Sequence, residues 1–380
     1  MRIPDYGDGA LADVGPSLLA ALGVPGETNT LGLADTARAC LFLVDGLGWC
    51  QLQRHADAAP FLTSLTSRSM TAGFPATTVT SLSSLGTGLP SGQHGLTGYS
   101  SYDGDVGAVV NWLAWRSVGP GDDLRDRLVP EVVQPRPTIW ERADDAGIAT
   151  SICTFDNFSG TGLTRAVLRG GRWHGTLAEG DAVARAADAA TRGNRALVYV
   201  YVSALDLVGH MRGPDTDAWR AQLSIVDRIA EQLAARLPDD TSLLVTADHG
   251  MVLVPDESKV DYDATPALQE GVVALAGEPR ARYVHTEAGA ADDVRARWTE
   301  LLDDEWVVLS RSEAIEMGLF GPEIDPDAAR RIGDVVALSL GDGGVVERRK
   351  LPRLSAMPGQ HGSLTDEELL VPLLETRPAR

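Results

Sequence analysis

The chain is poor in cysteine: three thiols, Cys40, Cys50 and Cys153, stand among 380 residues. So odd and sparse a set excludes a disulfide framework and a cysteine redox pair. Cys40 and Cys153, in or beside apolar strand-like runs, read as buried thiols. Positive charge is also short. Against 53 acidic residues there are 33 basic ones, a formal net charge of −20. Such a surface repels nucleic-acid polymers and anionic membranes. No stretch approaches the roughly 20 apolar residues a membrane span requires, and the opening MRIPDYGDGALADVG has no basic segment leading into an apolar one. No membrane partner is expected, and the cytoplasm is the expected location. Internal repeats and low-complexity tracts are missing too, apart from a short polar C-terminal end, which excludes repeat architectures.

What is present suits a globular protein. Hydrophobic residues make up 44% and charged residues 23%, enough for a sizeable core. The length alone suggests two or three domains, although large α/β enzymes exceed that figure as one unit.

Apolar strand-like runs alternate with helical stretches. The runs are 39–44, IATSICTF, ALVYVYV and 242–246. Helices are predicted at PSLLAALG, begun by Pro16 and ended by Gly23, and at PFLTSL, opened by Pro60. Others follow at PTIWERADDAG and GDAVARAADAATRG, and the longest runs from Asp217 to Leu237, with Trp219, Leu223, Val226, Leu233 and Leu237 on one face. Continuous apolar strands between helices predict a doubly wound, mostly parallel α/β sheet.

Residues 255–345 break the pattern. RARYVH, a helix near 290–302, WVVL, a short helix ending at Gly318 and the run DVVALSLGDGGVVERR, whose GDGG predicts a hairpin turn, read as a smaller α+β insert capping the cleft. The catalytic domain is then 1–254 with 346–380, and HGSLTDEELLVPLL returns the chain to its sheet. The Gly-rich stretch 97–135 predicts loop and hairpin over the site, its Trp112 and Trp115 being core anchors first and a substrate wall second. Phe155 to Phe158 form either a substrate loop or an aromatic turn.

The chemistry centres on FPATTVTSLSSLGTGLPSGQHG, residues 74–95. Val79, Leu82 and Leu85 recur at one-face helical spacing, with Gly86 and Gly88 ending the helix. Thr77 and Thr78 thus stand at a helix N-terminus, where free N–H groups and the dipole favour an anion. A plain N-cap would look the same. Three apolar runs, however, each end in an aspartate. ACLFLVDG closes on Asp45, ALVYVYVSALDLVGH carries Asp206 and His210 at one-face spacing, SLLVTADHG presents Asp248 and His249, and a late His361 follows a Pro/Gly-rich loop. Three carboxylates and one alkoxide carry a formal charge of about minus four, which two Zn²⁺ ions would cancel, and mixed N/O donors suit zinc better than calcium or magnesium. Other divalent ions fit the same donors. Such a pair of metals would activate the hydroxyl and stabilise a leaving oxygen in displacement at phosphorus.

VDG, FPATT followed by TGL and HG, DLVGH, ADHGM and QHGS resemble, in that order, the metal-site motifs of the nucleotide pyrophosphatase/phosphodiesterase family within the alkaline phosphatase superfamily. The resemblance spans 38–254 and 355–374. It implies an alkaline phosphatase-like fold and a hydrolase for phosphodiester or pyrophosphate bonds of small phosphoesters, nucleotides among them, through a phosphothreonine intermediate. Its nucleophile falls on Thr78. Asp45, Thr78, Asp248 and His249 would hold one zinc, and Asp206, His210 and His361 the other. The Val79 N–H would bind a phosphoryl oxygen.

Diesterase relatives often carry an aromatic after the nucleophile and an asparagine five residues after the HG histidine; here stand Val79 and Tyr99. Tyr99 or Asn111 would replace the lost donor, and Tyr201 matches a base-stacking tyrosine of some relatives. A diester is preferred over a monoester because no third metal motif and no arginine lies near the nucleophile, unless Arg165, Arg169 or Arg172 folds into the site. Phosphomonoesterase or phosphonate hydrolase activity is the nearest alternative, and a non-catalytic metal- or nucleotide-binding protein is the alternative from another class. The sulfatase Cys/Ser-x-Pro-x-Arg motif is absent. His94 reads as structural and His285 as a surface imidazole; His55 and His174 have no place in the site.

Overall fold

Arg38–Val44 is apolar from its second residue onward, and in the computed structural model every residue from Ala39 to Val44 is buried. Successive strand residues point to opposite faces, so both faces of the sheet are covered at this strand. The structure describes residues 1–376, and the expected polar C-terminal end lies outside them. The central sheet has seven strands, in the order Thr66–Thr71, Leu370–Glu375, Thr241–Ala247, Arg38–Val44, Ala196–Val202, Ala149–Phe155, Arg172–Thr176. From Thr241–Ala247 to Arg172–Thr176 all neighbours are parallel; Leu370–Glu375 runs antiparallel to both of its partners. This is the expected mostly parallel α/β sheet. Among the described residues no helix is long and apolar enough to cross a membrane.

The longest helix, Asp217–Arg236, buries Trp219, Leu223, Val226 and Leu233. Thr216 caps it by accepting from the Trp219 N–H at 3.3 Å, and it stops before Pro238, which disfavours helical backbone in the residue ahead of it. The first helix begins at Val14 instead of Pro16. The helix Thr78–Thr87 is buried on every side, and Gly88 (φ +73°) ends it. Gly86 does not; it lies within the helix because a Cβ there would meet the Val167 carbonyl oxygen at 2.4 Å. A backbone oxygen cannot swing aside, so only glycine allows this approach.

A four-stranded antiparallel sheet stands apart, in the order Val272–Glu278, Ala281–Thr286, Val335–Ser339, Trp306–Ser310. It has its own core around Val284, Trp298 and Val335. Two expectations fail here. Val272–Glu278 is a strand where the sequence pattern predicts none, and GDGG does not turn a hairpin. Gly344–Val346 pairs parallel with Lys259–Asp261, away from Val335–Ser339. The Arg280 guanidinium draws the loop aside, donating to the carbonyls of Gly341 at 2.9 Å and Gly343 at 2.8 Å.

Within 97–135 the strands Ser100–Asp103, Ala108–Asn111 and Arg116–Ser117 form a small sheet. Trp112 and Trp115 are core anchors, fully buried and packed edge to face at 5.0 Å. His285 is buried, not on the surface, and burial pushes its pKa down to about 4. All three cysteines are free; Cys40 and Cys153 are buried and Cys50 is half-buried.

Candidate active site

Three neighbouring parallel strands deliver the carboxylates. Val44 is in register with Val202 and Ala247, so the residues just past these ends, Asp45, Ser203 and Asp248, emerge side by side. Asp206 follows on the first turn of the helix Ala204–Arg212. Gly46, at φ +73°, lets that helix approach, since a Cβ there would lie 2.9 Å from Asp206 Cα. The N–H groups of Gly46 and His249 both donate to Asp248 Oδ1 at 3.0 Å. Asp248 Oδ2, Asp45 Oδ1 and Asp206 Oδ1 are buried with no hydrogen-bond partner. Orphan carboxylate oxygens are costly unless a cation meets them.

The imidazoles are oriented alike. Nδ1 of His210 lies 2.8 Å from the Gly359 carbonyl, Nδ1 of His249 2.9 Å from that of Gly250, and Nδ1 of His361 2.9 Å from that of Ala76. A carbonyl only accepts, so each Nδ1 carries the proton and each Nε2 offers a lone pair, the arrangement in which histidine binds metal. His249 Nε2 lies 3.5 Å from Asp45 Oδ1 and 3.6 Å from Asp248 Oδ2. His210 Nε2 lies 3.4 Å from Asp206 Oδ1.

Ligand atoms within 4.8 Å of one another form two groups, Asp45 with Asp248 and His249, and Asp206 with His249 and His361. His249 belongs to both, its ring stacked on His361 at 3.6 Å. His210 stands just outside the second group, its ring 5.1 Å from that of His361.

The electrostatics point the same way. Burial pushes the Asp45 carboxyl well above the carboxylate range, the nearby Asp248 and Asp206 push it further, and the Tyr201 hydroxyl bonded to it partly opposes them. Burial also raises Asp206, and it drives His361 well below the usual imidazole value. Acids that resist ionising beside an imidazole that resists a proton are donors short of positive charge, and divalent cations supply it.

Thr78 opens its helix beside these donors, with Oγ1 3.3 Å from His249 Nε2. Thr77 is the N-cap but makes no side-chain cap bond, so the first-turn N–H groups, Val79 among them, have no intrahelical acceptor. Thr77, Thr78 and Val79 line a cavity of 590 Å³ together with Asp45, Asp206, His210 and His361. Asp248 and His249 are fully buried behind that wall.

Tyr99 and Tyr201 also line the cavity. Asn111 does not; it stands behind Tyr99 and donates to its hydroxyl at 2.5 Å. Asn157 and Phe158 reach the cavity, whereas Arg165, Arg169 and Arg172 do not. Arg165 pairs with Glu131 and Arg169 with Glu141. His94 is structural, buried and hydrogen-bonded to Ser84 at 3.2 Å.

Sequence reasoning missed Glu278. This carboxylate ends the unforeseen strand Val272–Glu278, lines the cavity and is only 3% exposed. Its Oε1 accepts from the Tyr99 N–H at 2.6 Å and its Oε2 has no partner. Burial raises its pKa to about 8. The apolar run VVALA before a Gly-Glu-Pro turn was the one local signal for it.

Known structures share this architecture. Murine ectonucleotide pyrophosphatase/phosphodiesterase 5 superposes with a TM-score of 0.71 at 18% identity, over 90% of this chain and 88% of that one. Phosphonoacetate hydrolase from Sinorhizobium meliloti 1021 superposes with a TM-score of 0.65 at 20% identity, over 90% of each chain. At such identities the likeness establishes the fold. No match is found among curated proteins. The family model described as type I phosphodiesterase / nucleotide pyrophosphatase matches residues 39–364, most of the 380-residue chain, so the chain belongs to that family of phosphoester-bond hydrolases.

Proposed function

We propose that the protein is a metal-dependent phosphodiesterase acting on small phosphoesters through a phosphothreonine at Thr78. The carrying observation is the meeting of a hydroxyl at an uncapped helix N-terminus with orphan carboxylate oxygens and imidazole lone pairs. Asp45, Thr78, Asp248 and His249 would hold one divalent cation and Asp206, His210 and His361 a second, zinc by their donor types. When bound, these ions supply the positive charge that lowers the hydroxyl pKa, neutralises a leaving oxygen and activates water.

The chain's own groups do the rest. The first-turn N–H groups of the helix Thr78–Thr87 hold a phosphoryl oxygen where the dipole favours it. The Tyr99 hydroxyl, oriented by Asn111, donates to another. Thr78 Oγ1 attacks phosphorus, the Oγ1–P bond forms as the ester P–O bond breaks, and the alcohol or phosphate departs. Water then cleaves the Oγ1–P bond and restores the threonine. Tyr201, bonded to Asp45, holds that carboxylate in place while its ring meets Phe158 edge to face at 5.7 Å. Residues 255–345 act as an insert that caps one side of the cleft and brings Glu278 to it.

An inactive threonine-to-alanine variant of the murine relative, in complex with AMP, supports both a threonine nucleophile and a small phosphoester ligand. A diester is favoured over a monoester because, among the described residues, no arginine or lysine lines the cavity to meet a second charge. The same lack counts against a carboxylate-bearing phosphonate. Thr78→Ala should lower kcat at least about a thousandfold while the metal content per chain, read by atomic emission, stays near that of the wild type. Retained turnover in that variant would rule out the nucleophile assignment.

A further inference from the structure

One wall of the cavity carries no charge. It is built from Val79 and Leu82 on the helix Thr78–Thr87 and from Leu163 and Val167 on the helix Gly162–Val167. Each pair recurs at one-face spacing, so two apolar helix faces border the space beside Thr78. Two of the hydroxyls lining the cavity are already engaged, while the buried Tyr199 hydroxyl has no partner. Thr154 Oγ1 donates to the Tyr201 carbonyl at 3.2 Å and Thr161 Oγ1 to Thr164 Oγ1 at 3.0 Å. Leu113 and Leu207 carry the apolar lining out to solvent, 45% and 60% exposed. Exposed leucines at a cavity mouth are a place where a long apolar group continues past the rim.

The remaining charges are of one sign. Asp45, Asp206 and Glu278 line the cavity, and among the described residues no arginine or lysine does. A second phosphate on the ligand would therefore meet no counter-charge beyond what the metal donors hold. A nucleoside's hydroxyls and ring nitrogens set against Val79, Leu82, Leu163 and Val167 would lose water with no partner on that wall, which is costly. A hydrocarbon loses nothing there and gains from leaving water.

We propose that the arm carried by the reacting phosphorus is an uncharged hydrocarbon chain, so that the substrate is a singly charged alkyl phosphodiester and not a nucleoside polyphosphate. This rests on the diesterase reading only for which atom is attacked; the pocket's preference is a matter of binding.

The test is therefore a binding series. Methyl, butyl and hexyl monoesters of methylphosphonate, and the thymidine 5′-monoester, are titrated calorimetrically into the zinc-supplemented protein. Affinity should rise from methyl to hexyl by at least about tenfold, and the hexyl ester should bind more tightly than the thymidine ester. A flat or falling alkyl series, or tighter binding of the thymidine ester, would overturn the inference. Leu163→Gln should weaken the hexyl ester and leave the methyl ester as in the wild type, which also shows that the variant is folded; equal hexyl affinity in both proteins would count against the assigned wall. Hydrolysis of bis(p-nitrophenyl) phosphate is measured separately. Its absence would reject the diesterase reading while the binding series still decides the pocket.

Discussion

Burial holds the Glu278 carboxyl at a pKa of about 8, against 4.5 for the free side chain. The proton is favoured in the folded state, so the stability linked to it is complete below pH 4.5 and is lost as pH rises toward 8. Glu278→Gln removes the ionisation and keeps the shape. Relative to that variant, the wild type should lose on the order of a few kcal/mol between pH 5 and pH 9, at roughly 1.4 kcal/mol for each pH step between the free and the buried value. Urea unfolding at the two pH values reads the difference, and parallel profiles would contradict it. The seven candidate donor side chains could be picked out because aspartates at the ends of apolar runs, with histidines close by, have few structural reasons to recur. Glu278 was not, since a single glutamate beside a proline in a mixed stretch looks like any surface residue until the fold buries it. His285 misled in the same way: nothing local to it distinguishes a solvent imidazole from one packed against Tyr102 at 5.2 Å.

At the scale of elements, packing overrides the habit of glycine to end a helix. Gly86 sits inside the helix Thr78–Thr87 against the Val167 carbonyl. Alanine is the better helix former by about 1 kcal/mol, so on an exposed helix Gly86→Ala would stabilise. Here the clash should win, and the substitution should cost about 1–3 kcal/mol net, with a matching fall in turnover as the helix bearing Thr78 shifts. A higher urea midpoint for that variant would contradict the packing account. The parallel strands were legible because Arg38–Val44, Ala196–Val202 and Thr241–Ala247 carry apolar residues on both faces, as a sheet covered on both sides requires. Val272–Glu278 is less clearly patterned: it is buried only from Leu275 onward, and Gly277 at φ +82° interrupts it. The GDGG turn was chemically sound, but a guanidinium from another loop outweighed it.

That guanidinium shows what no local pattern reveals about the whole molecule. Arg280 lies in the turn after Glu278 and pairs with Glu368 at 2.8 and 2.9 Å, both side chains being fully buried. Glu368 also accepts from the Ser363 N–H at 3.0 Å and from the Thr365 hydroxyl at 2.6 Å. One ion pair thus joins the four-stranded sheet to the loop that carries His361. Arg280→Met would leave a buried carboxylate unpaired and should destabilise by about 3–5 kcal/mol, whereas adding Glu368→Met should recover much of the loss. Equal stability of the single and double variants in urea would contradict that coupling. The central claim, that these distant donors converge to hold cations for cleavage of a phosphodiester, is tested most directly by the hydrolysis of bis(p-nitrophenyl) phosphate and p-nitrophenyl phosphate before and after chelation. The account predicts faster cleavage of the diester, its loss on chelation and its return with added zinc; cleavage indifferent to the chelator, or faster on the monoester, would contradict it.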